Sequence, residues 1–174
     1  MNKKNLIIQQ STELTLQKAT NLMSITNKIL KNSKKELVAN PDIMIIDGKM
    51  WQKKTIEEKM TWDEAMEYAK NLRLGGYDDW RLPTIEELKN IIINCGGTPS
   101  KFEDEDVETT TKNMNNSNYQ SCYKRKGFIS SFYWSIIIDI KNYNDAWIVD
   151  LEDGYMYKDY KSSFIYVRCI RTEK

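Results

Sequence analysis

The chain has 174 residues, enough for one domain of ordinary size with a short appendage, and long enough to bury a core without metal or disulfide staples. Hydrophobic residues make up 40% and charged residues 29%, the balance of a soluble globular protein, and no apolar run approaches the roughly 18 residues of a membrane span. Histidine is absent, which excludes Ser-His-Asp triads, Cys-His pairs and imidazole-ligated metals, and leaves any acid–base work to carboxylates, Lys, Tyr or Cys.

The net charge of +1 hides an asymmetry. Seven lysines against Glu13 and Glu36 give residues 1–40 a charge of +5, while 19 basic and 23 acidic residues give the remainder −4. A mildly acidic body behind a basic arm does not carry the basic stripe that nucleic acid demands, so no nucleic-acid partner is expected. The only apolar patch near the N-terminus is Leu6-Ile7-Ile8, too short for a secretory signal core. Cys95, Cys122 and Cys169 lack Cys-x-x-Cys spacing. The default expectation is therefore three reduced thiols in a cytoplasmic protein, with one disulfide and a free thiol as the alternative.

Residues 11–35 read as one amphipathic helix, with Ser11 or Thr12 as N-cap. Leu16, Ala19, Met23, Thr26 and Leu30 repeat at 3-4-3-4 spacing, and Leu22, Ile25 and Ile29 form a second row. The pattern covers about two heptads, short of a firm coiled coil. Two readings stay open: the helix packs on its own domain, or Leu16, Ala19, Leu22, Met23, Ile25, Ile29 and Leu30 contact a sister chain or a partner protein. Ala39-Asn40-Pro41-Asp42 marks the boundary, giving residues 1–40 as an oligomerisation or docking helix and 41–174 as the domain.

The domain opens with a hairpin. Asp47-Gly48 between Ile43–Ile46 and Met50–Gln52 supplies the positive φ angles of a tight turn. Thr61 with Glu64 and Thr84 with Glu87 are capping boxes that start two helices. Gly75-Gly76 is expected to end the first, with Trp62, Ala65, Ala69 and Leu72 as its buried stripe, and Cys95-Gly96-Gly97 the second. Residues 97–127 are polar and read as one long irregular loop. Beyond it, residues 133–140 alternate. Trp147, Val149 and Leu151 share a face, with Trp147 expected in the core. Glu152-Asp153-Gly154 turns into 155–158, and 166–171 is a last strand. The fold class is α+β, with small antiparallel sheets, two helices and a long loop region.

Five stretches in this order carry a resemblance: Gly48–Gln52; Thr61–Ala65 with Gly75-Gly76-Tyr77; Asp78-Asp79-Trp80-Arg81-Leu82-Pro83-Thr84 with Glu87-Leu88; Tyr133-Trp134-Ser135; and Ala146-Trp147, Val149-Asp150-Leu151, Asp153-Gly154 and Val167–Arg171. Together they resemble the bacterial domain family typified by the C-terminal domain of the Legionella collagen-like adhesin, over about residues 42–172. The resemblance implies a C-type-lectin-like fold, distantly related to formylglycine-generating enzymes, and a binding module, since the adhesin's domain binds sulfated glycans. Contacts would then come from 97–127, with 141–145 and 158–164. Many members carry a Cys late in the first domain helix that pairs with the Cys of the last strand. Here that region reads Tyr68-Ala69, so Cys169 lacks the partner the family implies.

Candidate ligand contacts are Tyr143, Tyr155, Tyr157 and Tyr160, because tyrosine suits adaptable contact surfaces, and Lys124 and Arg125, which suit an anionic ligand. Arg81 is expected to tie loops together, and Arg168 and Arg171 to form ion pairs with Asp79 or Asp150. The acidic run Glu103–Asp106 with Glu108 lacks calcium-loop spacing, and no metal or cofactor is expected. No cysteine shows the surroundings of an activated nucleophile, so no catalytic residue is assigned. The expectation is a non-catalytic ligand-recognition module for a protein or glycan. The alternatives are an intracellular adaptor, a binding protein diversified by a retroelement across Tyr143–Tyr160, and a formylglycine-generating-type thiol oxidase.

Overall fold

The computed structural model describes residues 3–38, 40–101 and 106–172, with side chains for 12–30, 40–101 and 106–171. The chain separates into two compact units, Met1–Asn40 and Pro41–Lys174. The first is a single helix, α1 (Lys3–Val38). It begins well before Ser11 and Thr12, which are interior residues and not its cap.

The second unit is α+β. It contains β1 (Ile43–Ile46), β2 (Lys49–Gln52), α2 (Trp62–Asn71), α3 (Ile85–Asn94), α4 (Val107–Asn115), α5 (Ser117–Arg125), β3 (Phe132–Ile138), β4 (Asp145–Asp150), β5 (Met156–Tyr160) and β6 (Ile170–Thr172). Two three-stranded antiparallel sheets form, in the orders β1-β2-β6 and β3-β4-β5. The first therefore joins the start of this unit to its end. Asp47 and Gly48 take φ of 52° and 72°, the mirror-image turn that their sequence demands. Both capping boxes are complete: Thr61 and Thr84 accept from the backbone N–H of Glu64 and Glu87, whose carboxylates accept from the capping backbone in return.

Several expectations fail for physical reasons. Gly75-Gly76 does not cap α2, which ends at Leu72 in an extended conformation. The pair instead forms a tight turn in which Leu74 and Tyr77 exchange backbone hydrogen bonds of 3.1 and 3.2 Å. Within α2 only Ala65 and Ala69 are fully buried, while Trp62 and Leu72 are half-buried. The polar stretch 97–127 holds two helices where a loop was expected. Asp106 and Asn116 cap them, and each presents few but well-buried side chains, Asn113 on α4 and Tyr119 and Tyr123 on α5. Asn113 takes the place of an apolar anchor: its amide donates to the carbonyls of Thr98 and Asp153 at 2.6 Å and accepts from Thr98 N–H. Phe102 and Glu103–Glu105 lie outside the described residues. Of the acidic run that remains, Asp106 is a cap and Glu108 pairs with Lys112.

The alternation expected at 133–140 is interrupted by a register shift between Trp134 and Ile138, so Tyr133, Trp134 and Ser135 are buried in succession and Ile140 is exposed. Strand β6 starts only at Ile170, because the chain before it makes single bridges, Met60 with Ile165 and Tyr133 with Tyr166. Central strand β4 buries Ala146, Ile148, Val149 and Leu151 just beyond it, while Trp147 is half-buried against the core edge.

Cys95, which caps α3, is disulfide-bonded to Cys122 on α5, with Cα atoms 5.4 Å apart. Two of the three expected reduced thiols are thus paired, as in the alternative of one disulfide and one free thiol. Cys169 is free and buried. Opposite it, Gln52 accepts from the Cys169 N–H at 2.6 Å and donates to the Tyr68 hydroxyl at 2.8 Å, at the place where the family would have its second cysteine.

The arginines divide. Arg81 forms a two-pronged pair with Glu87, both contacts at 2.7 Å. Arg171 holds Asp79 at 2.5 and 3.1 Å and stacks 3.7 Å from the Tyr77 ring centre. Arg168 makes no ion pair among the described residues, and donates to backbone carbonyls instead. Asp150 partners neither arginine there: it accepts from Glu152 N–H.

Candidate functional site

Tyr143 and Tyr160 are 69% and 65% exposed. Both line an open cleft of ≈ 690 Å³ with Thr61, Asp63, Asn144, Lys161 and Ser162. Three segments meet there: the first turn of α2, the loop between β3 and β4, and the chain leaving β5.

Each segment is pinned by its own backbone. In the β3–β4 loop, Asp139 accepts from Lys141 N–H at 3.0 Å and Asn142 accepts from Asn144 N–H at 3.2 Å, short turns built by side chains adjoining their own backbone. Asp139 also takes the Lys158 ammonium at 3.1 Å, tying the loop to β5. The segment after β5 is held by Lys161 N–H donating to the Asn144 carbonyl at 2.8 Å and Trp62 N–H donating to the Lys161 carbonyl at 2.9 Å. The Lys161 ammonium lies 4.5 Å from the Trp62 ring centre. Trp62 and Trp134 lock α2 to β3, their indole N–H groups donating to the carbonyls of Ser135 and Met60 at 2.9 and 2.8 Å. Beneath the loop, one carboxylate oxygen of Asp145 is buried without a hydrogen-bond partner while the other accepts from Asn142.

The result is two accessible aromatic faces on fixed backbone, with hydroxyl, amide, carboxylate and ammonium groups between them. A tyrosine on held backbone has only two side-chain torsions to order when a ligand stacks on it, and the polar groups set the ligand's orientation.

The other sequence candidates lie elsewhere. Tyr155 stacks on Tyr157 with ring centres 5.0 Å apart, and Phe132 meets Tyr157 edge-on at 5.5 Å. Both tyrosines are half-buried, about 17 Å (Tyr155) and about 10 Å (Tyr157) along the chain from Tyr160 at ~3.4 Å per residue. Burial, with the charges of Asp159 and Asp150, pushes the Tyr157 hydroxyl up to about 12. Lys124 and Arg125 are exposed in the last turn of α5, Lys124 5.6 Å from the Tyr123 ring centre, and belong to neither aromatic group. Asn144, Lys161 and Ser162 fall in the segments 141–145 and 158–164 from which contacts were expected, although none was singled out, whereas Thr61 and Asp63 were missed. Thr61 is accounted for by helix capping and Asp63 by its place in the first turn of α2, so neither signals a ligand contact in the sequence.

Among the described residues no group of three or more His, Cys, Asp or Glu side chains is placed to hold a metal ion. Burial pushes the Cys169 thiol up to about 12, so it is protonated at neutral pH.

Residues 46–171 match the family model of the Lcl C-terminal domain. The chain belongs to that family. The Lcl C-terminal domain match thus takes in the cleft, the disulfide, the sheet β3-β4-β5 and strand β2, and leaves α1 and all of β1 but Ile46 outside it. No curated protein sequence matches the chain. Among solved structures, the crystal structure of botrocetin is similar at a TM-score of 0.47 and 11% identity, covering 76% of this chain and 98% of that one.

Proposed function

We infer that this chain is a non-catalytic ligand-recognition module of C-type-lectin-like architecture, with α1 serving oligomerisation or docking. The observation that carries the reading is the pair Tyr143 and Tyr160, both exposed around one open cleft on backbone held from three sides. Membership of the Lcl C-terminal domain family supports a binding role. A sheet that joins the beginning of the domain to its end supports the architecture. The bonded Cys95–Cys122 pair and the buried, protonated Cys169 speak for binding over thiol oxidation. The cleft's mixture of aromatic faces and short polar groups suits a ligand with one apolar and one hydroxylated or amide face, either a glycan or a peptide loop.

The test is a glycan array and a protein pull-down run in parallel with wild-type chain and the Tyr143→Ala/Tyr160→Ala double variant. Both side chains are exposed, so the melting temperature should hold while captured ligand falls at least about tenfold, the loss expected for truncating two aromatic anchors. Equal capture by the double variant removes the cleft from the function.

A further inference from the structure

We propose that α1 pairs with α1 of a second copy of this chain, antiparallel, the large side chains of each copy filling the small positions of the other. This deepens the helix half of the reading above and is tested independently of the ligand.

Every side chain of residues 12–30 is exposed, including Leu16, Leu22, Met23, Ile29 and Leu30 at 69, 70, 72, 60 and 52%. At 3.6 residues per turn, Ile29, Leu22, Ala19, Leu30, Met23 and Leu16 fall on one arc. Lys18 borders the arc, with exposed Ile25 and Leu14 just beyond it and outside the proposed seam, and Glu13 and Lys28 lie on the far side of the helix. Within the arc, two rows repeat every seven residues. One is large: Leu16, Met23, Leu30. The other is small: Thr12, Ala19, Thr26.

Self-complementarity follows from those rows. When two copies run antiparallel, Leu16 faces Thr26, Met23 faces Ala19 and Leu30 faces Thr12, all at once, because each pair is centred on Asn21. A two-fold axis at Asn21 then repeats the three contacts on the other side, as a closed symmetric interface requires. Every layer sets one large residue against one small one, so the helices keep an even separation. A parallel pair would set Met23 on Met23 and Ala19 on Ala19, alternating crowded and empty layers. Charge gives the same answer. Lys28, Lys31, Lys34 and Lys35 crowd the C-terminal third of α1. A parallel pair would bring both clusters together, whereas the antiparallel pair puts them at opposite ends and also opposes the helix dipoles. Burial leaves no unmet hydroxyl at the Leu16–Thr26 layer, because Thr26 Oγ1 already donates to the Leu22 carbonyl at 2.9 Å.

Five large side chains per copy, at roughly 100 Å² each, remove about 1,000 Å² in total, the lower end for a specific pair. An interface of that size fits a weak, concentration-dependent pair, so the test must span a wide range of chain concentration.

Equilibrium sedimentation of the full chain from ~1 to ~200 μM should show the mass rising from one to two chains of 20.5 kDa. The Met23→Asp/Leu30→Asp variant should stay at one chain throughout, with the thermal transition of the 41–174 unit unchanged. Orientation is read by oxidative cross-linking. Leu16→Cys chains mixed with Thr26→Cys chains should link, while either variant alone links at least about tenfold less. A wild-type mass of one chain at every concentration overturns the pairing. So does a limiting mass above two chains, and so does efficient linking of Leu16→Cys chains to one another, which marks a parallel arrangement.

Discussion

The guanidinium carbon of Arg168 lies 3.8 Å from the centre of the Phe128 ring, inside the core and away from any carboxylate among the described residues. Its Nε donates to the Gln52 carbonyl at 2.6 Å and its Nη2 to the Lys53 carbonyl at 3.0 Å, while Nη1 is buried without a partner. Burial pulls the guanidinium pKa down to about 9. The side chain thus satisfies the end of β2 where it leaves the sheet. Gly127 approaches the same place: a Cβ there, on a backbone with φ of 81°, would sit 2.0 Å from the Lys53 carbonyl oxygen.

Arg168→Lys should destabilise the domain by about 3 kcal/mol, because an ammonium cannot serve both carbonyls or stack on Phe128 and would remain a poorly solvated charge. Gly127→Ala should cost at least as much, by displacing the carbonyl that Arg168 holds. Denaturant unfolding of both single variants and the double variant checks this. The double variant should fall short of the summed losses, and full additivity would separate the two sites.

Acid should reveal the Glu87 cluster. Burial alone would raise this carboxyl, but Arg81, the Thr84 backbone N–H and Lys49 outweigh it and hold the pKa at about 2, below the ordinary 4.5. A depressed carboxylate contributes stability that is complete above pH 4.5 and is lost as pH falls toward 2. Wild-type chain should lose up to about 3 kcal/mol from this group over that range, and Glu87→Gln should lose much less there while starting from a lower value at pH 7. Parallel acid limbs for the two proteins would remove Glu87 as the cause.

Asp150 works in the opposite sense. Burial first, then the charges of Asp153 and Glu152, raise it to about 7. The folded state therefore favours the protonated form, and stability falls as pH rises from the unfolded value near 3.8 through 7. Asp150→Asn keeps an acceptor for the Glu152 N–H and abolishes the charge. It should stabilise the domain at pH 8 by up to about 4 kcal/mol and do little at pH 4. Thermal melts at the two pH values measure the difference; an equal effect at both would sink the assignment.

The Cys95–Cys122 bond closes a loop with a sequence separation of 27, which encloses α4 and most of α5. Reducing it, or making Cys95→Ser, should cost about 3 kcal/mol. A thiol reagent in denaturant should label one cysteine per chain without reductant and three with it. Three labels before reduction would show that the bond does not form.

The elements legible in the sequence were those whose causes are local. Asp47-Gly48, Thr61 with Glu64 and Thr84 with Glu87 each specify their geometry within four residues, and the hairpin and helices α2 and α3 start where they say. The stretch 97–127 was illegible because α4 and α5 are anchored by Asn113, Tyr119 and Tyr123 to distant carbonyls and core side chains, not by an apolar repeat. Tyr119 donates across 32 residues to the Leu151 carbonyl, a relation no periodicity encodes. The cleft divided along the same line. Tyr143 and Tyr160 stood out as exposed aromatics, but their neighbourhood with Thr61 and Asp63 arises only when three separate segments converge. Tyr155 and Tyr157 looked equivalent to them because exposure depends on Phe132, which the sequence places far away.

The sheet β1-β2-β6 also decides how the domain bears load. Strands β1 and β6 both run antiparallel to β2, so the chain comes in at the Gln52 end of β2 and leaves at its Lys49 end. Tension between the two ends of the domain is directed along the strands, in opposite senses on either side of β2. The cross-strand hydrogen bonds are then strained side by side and must rupture together instead of peeling one after another. A domain wired this way resists being drawn apart by its two ends, since rows of bonds on both sides of β2 must fail before the strands separate.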